Sequence, residues 1–501
     1  MTSQMSFSNA VAFARKIDYV PWVYGAALLL TLIPASIAVL FSDAGWTPLV
    51  KVLAVAIAVG AAAALFQSAA RKTFSFAMSL FWMWVYVFLG LTQLYQLASN
   101  KFPWGAAFDD STVLTAQAVI LLGSGSLYLA SEMTMRRKRA VLSATAAHGE
   151  PPVRPAKLRI TVLTFCYAYS AVTIWFIISN GSALFQGKAA FQDQLEANAS
   201  IPGSGTVFLV AIAGAMCIPA IAIIARRYDV GIPLPVVLLV CALGFVATNP
   251  LTGSRFLTGT FLLALIGALL LRRHLLRFVP LGIMLTFVTL FPSLDILRND
   301  GTGAEELALS MPSQTLLTFD FDSFEMLLRA VTVFGHVPNG FPTPFELFLA
   351  PVLRWVPVLS ATTQGHDGGP VVAEITGMTW TNVSMPLWGE AYLVGGFVAV
   401  ALAFAAFGIV LGLVRPSPGV LQPMRTPAAL MIEVPVGALL IMLLRGSLAS
   451  VLGYLLFTLA LGIVIWLVWR RDEAGPRIRT RNSAAGVSAH NRPQQTSRSG
   501  C

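Results

Sequence analysis

Charge is what this sequence has least of. Asp, Glu, Lys and Arg make up 11% of the 501 residues, less than half of the ~25% usual in a soluble protein. Apolar residues reach 56% and the mean hydropathy is +0.74, which excludes an ordinary water-soluble domain. Cysteine is scarce too: Cys166, Cys217 and Cys241 lie inside apolar runs, and Cys501 ends the chain. No pair has CxxC or metal-ligand spacing, so a disulfide framework, a zinc site and a thiol redox motif have no support. The three inner cysteines read as small packing residues. A signal peptide is lacking as well, because the apolar run starting near Trp22 is too long for an h-region and shows no small-residue cleavage site. It reads as the first spanning helix. No strong internal repeat is present.

What the chain does have is apolar runs of roughly twenty residues, enough to cross a hydrocarbon core of ~30 Å. About twelve are expected, at 21–41, 49–67, 74–97, 114–131, 160–178, 205–224, 234–248, 256–271, 278–294, 389–413, 428–444 and 449–469. The seventh is short and relies on tilt or bilayer thinning. The expected fold class is an all-α polytopic integral membrane protein. With the N-terminus inside, 25 of the 33 Lys and Arg residues fall on the cytoplasmic side, as the positive-inside rule requires. Both termini are therefore expected in the cytoplasm. The net charge of +10 is mostly this orientation signal and does not point to nucleic acid.

The expected order is a cytoplasmic N-terminus, 1–20, followed by nine membrane helices over 21–294. These include a basic cytoplasmic linker, 132–158, and an outer loop, 179–204. A large outer loop, 295–388, precedes three more helices, 389–469, and a basic disordered tail, 470–501. Linker and tail are Ala/Ser/Pro-rich without apolar periodicity. Glu433 is the one carboxylate well inside a span, a functional candidate by default.

The large loop has structure of its own. In "FDSFEMLLRAVTVF", Phe321, Phe324, Leu328 and Val331 follow amphipathic helical spacing. Asp322 and Glu325 offer a capping box at its start. In "TPFELFLAP", Thr343 suits the cap, Pro344 the first helical position and Glu346 the third, which predicts a second short helix to Pro351. Both helices are expected to lie on the membrane surface and roof a cavity.

Polar chemistry collects on this outer side. "ATNPLTGSRFLTG" carries Arg255 with no acidic neighbour, and the loop adds Arg298, Arg329 and Arg354. A guanidinium fork suits phosphate oxygens held at two points. Arg298 has Asp295 and Asp300 nearby, and Arg329 has Glu325 four residues before it, so an i, i+4 ion pair competes there. Arg354 has no local partner. His336, His366, Asp320 and Asp322 are candidate bases, with helix capping the competing role for the aspartates. Trp355, Trp380 and Trp388 offer ring faces to sugars or form an interfacial belt. Asn382 is a candidate substrate contact, and Glu390 opens the tenth span, either as a site residue or as a charge complementing the helix dipole.

Taken together, "TGSRFLTGTFLLALI", "DFDSFEMLLRA", "APVLRWVPVLSA" and "WGEAYLVGGFVAVALAFAAFGIVLG" resemble the Wzy-type O-antigen and exopolysaccharide repeat-unit polymerases over about residues 245–412. In that family a Gly-Ser/Asn-Arg precedes a span, an Arg-containing Pro-rich segment lies late in the large loop, and Glu-x-Tyr-x-x-x-Gly opens the next span. The resemblance implies a glycosyltransferase of the bacterial plasma membrane. It would pass a growing glycan from undecaprenyl diphosphate to another lipid-linked repeat unit on the outer face. No metal or cofactor is expected, and the implied partners are the lipid-linked oligosaccharide, the bilayer, a flippase and a chain-length regulator. Arg255, Arg354, Arg329, Glu390 and His336 would be catalytic, and Arg298, Asp322, Trp388, Trp355 and Asn382 would bind substrate. The competing readings are a glycolipid transporter and a related O-antigen ligase. Transporters of about twelve spans often have matched halves and midplane polar residues, and these halves do not match.

Overall fold

The computed structural model describes residues 19–71, 74–145, 156–181, 183–186, 191, 193–194, 204–249, 255–271, 274–290, 312–336, 341–353, 367–380, 383–415, 427–446 and 448–473. Among these residues there are helices and no strands. In chain order, α1 is Val20–Leu40, α2 Pro48–Ala70, α3 Phe76–Ser99, α4 Asp110–Thr145, α5 Ala156–Asn180, α6 Ser204–Arg227, α7 Leu234–Ala247, α8 Arg255–Leu270 and α9 Leu275–Thr289. From the large loop onward come α10 Ser323–Val333, α11 Pro344–Leu353, α12 Gly368–Ile375, α13 Leu387–Val414, α14 Pro427–Arg445 and α15 Leu448–Glu473.

Nine described helices, α1–α6 and α13–α15, are long and apolar enough to cross a membrane. The chain is thus an α-helical, multi-pass membrane protein. The other three expected spans coincide with the shorter apolar helices α7, α8 and α9. The 14 residues of α7 rise only ~21 Å, less than the hydrocarbon thickness.

Sequence composition decides which helices lie inside. The apolar stretch of α3 is buried throughout, whereas that of α1 is 22% buried. A helix apolar on all sides can be enclosed by others, and one that faces lipid needs no polar side either. At the end of the bundle where α2 finishes and α3 begins, the few charges act as clamps. Arg71 and Arg415 both bind Glu132, at 2.6 and 2.9 Å. Lys138 donates to the carbonyls of Leu413 and Arg415, closing the end of α13. These ties explain one difference from expectation: residues 132–145, read as unstructured linker, continue α4 as helix to Thr145. Glu433 is fully buried and accepts from Ser75 Oγ and the Phe76 N–H, so it caps α3 from a neighbouring helix.

The contact between α4 and α13 is built on a small-residue pair. Gly408 and Gly412 are four apart on α13 and face Leu127, Ala130, Ser131 and Thr134 of α4. A Cβ at Gly408 would collide with the Leu127 carbonyl oxygen, so only glycine lets the backbones approach so closely. Gly408→Leu is expected to force the helices apart and cost about 1–3 kcal/mol, measured as earlier melting in detergent. Gly125→Ala, where a Cβ meets nothing within 4 Å, should melt with the wild type.

The start of α13 is not a straight span. Gly395 and Gly396 have non-helical angles, with Gly396 at φ 60°. The rings of Trp388 and Phe404 lie 4.4 Å apart, although sixteen residues of continuous helix would separate them by ~24 Å. The chain therefore doubles back at the two glycines. Its first part, ending before Gly395, re-enters the bundle beside the second.

Candidate functional site

Two helix ends of unequal height create the place where the large loop docks. Gly437 of α14 packs against Phe76 and Ala77 at the start of α3. From that level α14 rises eight residues to Arg445, ~12 Å, whereas α3 rises ~33 Å to Ser99. The end of α14 is consequently recessed within the bundle relative to the end of α3. The segment from Pro312 to Val333 and the re-entrant start of α13 fill the recess. Phe321 stacks on Phe88 of α3 at 5.2 Å, and Gln96 Nε2 donates to the carbonyls of Leu316 and Phe321 at 3.3 and 3.0 Å.

This placement corrects the expectation for α10. Ser323 through Ala330 are all buried, so α10 is an inserted helix and not a surface roof. Insertion is possible because its charges are neutralised in place: Arg329 binds Glu325 Oε1 through Nε and Nη2 at 3.0 and 2.8 Å and Thr376 Oγ1 through Nη1 at 3.0 Å. The capping box expected from Asp322 and Glu325 does not form. Asp322 makes no side-chain cap, and both carboxylates turn to Trp104 instead. Asp322 Oδ2 accepts from its indole N–H at 3.2 Å, and Glu325 Oε2 from its backbone N–H at 2.7 Å. By contrast, the box at α11 forms as expected: Glu346 accepts from the Thr343 N–H at 2.6 Å, and the Thr343 hydroxyl accepts from the Glu346 N–H. Phe345 and Phe348 of α11 are exposed, as an interfacial helix requires.

The centre of the arrangement is Arg445, the last residue of α14. It is 7% exposed. Its Nη2 lies 3.6 Å from Asp320 Oδ1, and its guanidinium carbon sits 4.3 Å from the Phe256 ring centroid. Its Nε and Nη1 are buried and find no acceptor among the described residues. Asp322, 3% exposed, likewise has one oxygen, Oδ1, without a donor. Burial pushes its carboxyl up to about 6, while the Arg445 charge and the Trp104 hydrogen bond pull it down. Burial also raises Glu325 above the ordinary carboxylate range, against the Trp104 and Arg329 contacts. Three residues past Arg445, the Leu448 N–H that begins α15 donates to Glu390 Oε2 at 2.6 Å. Glu390 thus complements a helix dipole, but that of a neighbour, and it ties the re-entrant segment to the recessed turn.

The predicted residues distribute unevenly around this centre. Asp322 and Glu390 belong to it. Arg329 is beside it, with its guanidinium engaged by Glu325 and Thr376. The backbone of Arg255 opens α8, one residue before the ring that underlies Arg445; its side chain lies outside the described residues. So do Arg298, Arg354, Trp355, His366 and Asn382 altogether. His336 is elsewhere: it is exposed beyond the far end of α10, with Nδ1 3.1 Å from the Phe334 carbonyl oxygen. Fourteen residues, most of them helical, separate it from Asp322, so it does not meet the buried charges.

Trp388 is displaced from both of its expected roles. It is fully buried, stacked on Trp84 at 5.5 Å and against Phe404 at 4.4 Å, which leaves no ring face for a sugar or a headgroup. The re-entrant fold carries it inward. Trp380 is exposed, as an interfacial tryptophan would be.

Arg445 itself was missed by sequence reasoning. The available signal was its position: a cation in the short outer turn "LLRGSLAS" between two apolar runs, with no acidic residue nearby in sequence. Compared against family models, curated proteins and solved structures, the chain matches none.

Proposed function

We propose that this protein is a membrane glycosyltransferase that polymerises undecaprenyl-diphosphate-linked oligosaccharide repeat units into O-antigen or exopolysaccharide. It acts on the outer face of the bacterial plasma membrane. The observation that carries this reading is a buried guanidinium, Arg445, with two donors that find no acceptor among the described residues, whose charge acts on a buried carboxylate, Asp322, with one oxygen that finds no donor among them. Arg445 lies over Phe256, the residue after the Arg255 that opens α8 and that ends the Gly-Ser-Arg of the resemblance. The reading takes α7, α8 and α9 as crossings, giving twelve spans and cytoplasmic termini.

The chemistry follows from the two groups. The acceptor hydroxyl of one repeat unit attacks the anomeric carbon of the glycan on the other lipid. Asp322 takes the hydroxyl proton as general base. The bond from the anomeric carbon to the phosphate oxygen breaks, and its electron pair leaves on the diphosphate. Arg445, with Arg255 and Arg354, holds that growing negative charge in a site of low dielectric. The products are a glycan longer by one unit and a free lipid diphosphate.

The test is incubation of the purified protein with lipid-linked repeat units in bilayers. A ladder of products is expected, and the variant with both Arg255→Ala and Arg354→Ala should insert normally and give none. Long chains made at wild-type levels by that variant would overturn the assignment. A single transfer would replace it with ligase activity, and movement across vesicles without any change in glycan length with transport.

A further inference from the structure

The segment in the recess grips a face of α3 that carries more hydrogen-bonding capacity than the protein uses. Gln93 is fully buried, and neither its oxygen nor its nitrogen has a partner among the described residues. Three residues on, and so on the same helix face, Gln96 donates to Leu316 and Phe321 while its own oxygen accepts nothing. One residue before Leu316 and two after Phe321, Thr315 Oγ1 and Ser323 Oγ are also buried without partners among the described residues. Gln93 and Gln96 follow a seven-residue π-helical stretch, Val85–Leu91. Such wide turns shift the phase of a helix and recur at functional positions. Buried polar groups in native proteins are nearly always satisfied, so a group of this kind at one place points to a ligand that supplies the missing partners.

The missing partners are neutral and of both senses, because amide oxygens need donors while amide nitrogens and hydroxyls also supply protons. A phosphate accepts only and an alkyl chain does neither. Sugar hydroxyls do both. We propose that Gln93 and Gln96, with Thr315 and Ser323 on the stretch that Gln96 holds, form a binding site for the ring hydroxyls of a neutral sugar. It lies beside Asp322 and extends the proposed transferase to recognition of the glycan, so it rests on that reading. In the closed arrangement the segment from Thr315 to Ser323 covers the site. It opens when the two Gln96 hydrogen bonds exchange carbonyl oxygens for sugar oxygens.

The test uses the full chain in lipid nanodiscs and two probes. One is sugar-free undecaprenyl diphosphate; the other is the lipid-linked repeat unit extracted from cells lacking the protein. Gln93→Leu is expected to weaken binding of the second probe at least tenfold, leave the first unchanged, and melt no lower than wild type, since it removes an unsatisfied amide of similar size. Unchanged affinity for the repeat unit overturns the proposal. So does an equal loss for both probes, or a lower melting temperature without any loss of discrimination. A wild type that favours the sugar-bearing probe yet builds no ladder would remove the polymerase reading and leave the sugar site standing.

Discussion

Replacing Arg445 with alanine is expected to slow chain extension by at least a hundredfold while the protein still inserts and binds lipid. The magnitude follows from what a fixed donor aimed at developing negative charge contributes in a water-poor site, about 10²–10³ in rate. Arg445→Lys should fall between, since an ammonium keeps the charge but loses the planar fork. A second readout separates this role from a structural one. Arg445 is the cation that acts on the Asp322 carboxyl. Its removal should therefore move the acid limb of the rate profile to higher pH, because the carboxylate loses the charge that favours its ionised form. An Arg445→Ala protein that extends glycan at more than half the wild-type rate, with its acid limb unmoved, would show that the guanidinium only pairs with Asp320.

How much of this was legible beforehand depended on whether the determining contacts were local. The apolar runs follow from hydropathy, which is a property of each segment alone. The α11 capping box was legible because Thr343 and Glu346 are three residues apart and need no third party. The Glu325–Arg329 pair was legible for the same reason, at one helical turn. The existence of α10 could be read from its periodicity, but not its depth. That depends on Trp104, more than two hundred residues earlier, whose backbone and indole N–H groups draw Glu325 and Asp322 inward.

The re-entrant turn was hidden for a different reason. Residues 391–414 form one uncharged, largely apolar run, and hydropathy does not distinguish a helix that crosses from one that folds back first. Gly395–Gly396 was the only local sign, and it becomes decisive only beside the Trp388–Phe404 contact. Both roles expected for Trp388, sugar contact and interfacial belt, require a straight span that leaves the ring at the membrane edge. Arg445 is not legible from sequence because it stands alone in a short turn, apart from the arginines clustered in the large loop. The cation that the fold buries among acidic groups belongs instead to a turn between two spans, and the height of that turn is set by how α14 packs on α3.

Asp322→Asn is expected to separate stability from activity in opposite directions. The buried Asp322 carboxyl stands at about 6, against 3.8 for an ordinary aspartate. The folded state therefore holds the proton more tightly than the unfolded chain does. Stability is greatest below about pH 4, falls as pH rises through the window to about 6, and is level above it. The full effect is about 3 kcal/mol. At pH 7.5 the asparagine variant, free of the cost of an ionised buried group, should melt above the wild type. At pH 4 the difference should vanish. Transfer behaves the other way. A base must be deprotonated, so the wild-type rate should drop about tenfold per pH unit below about 6; the variant should be slower by about 10²–10⁴ above that pH, and the gap should narrow below it as the wild-type base is protonated. An asparagine variant that retains the wild-type rate and the same acid limb would place the proton acceptor elsewhere. One that melts lower at pH 7.5 would show that the free oxygen of Asp322 is bound to something that holds the fold together.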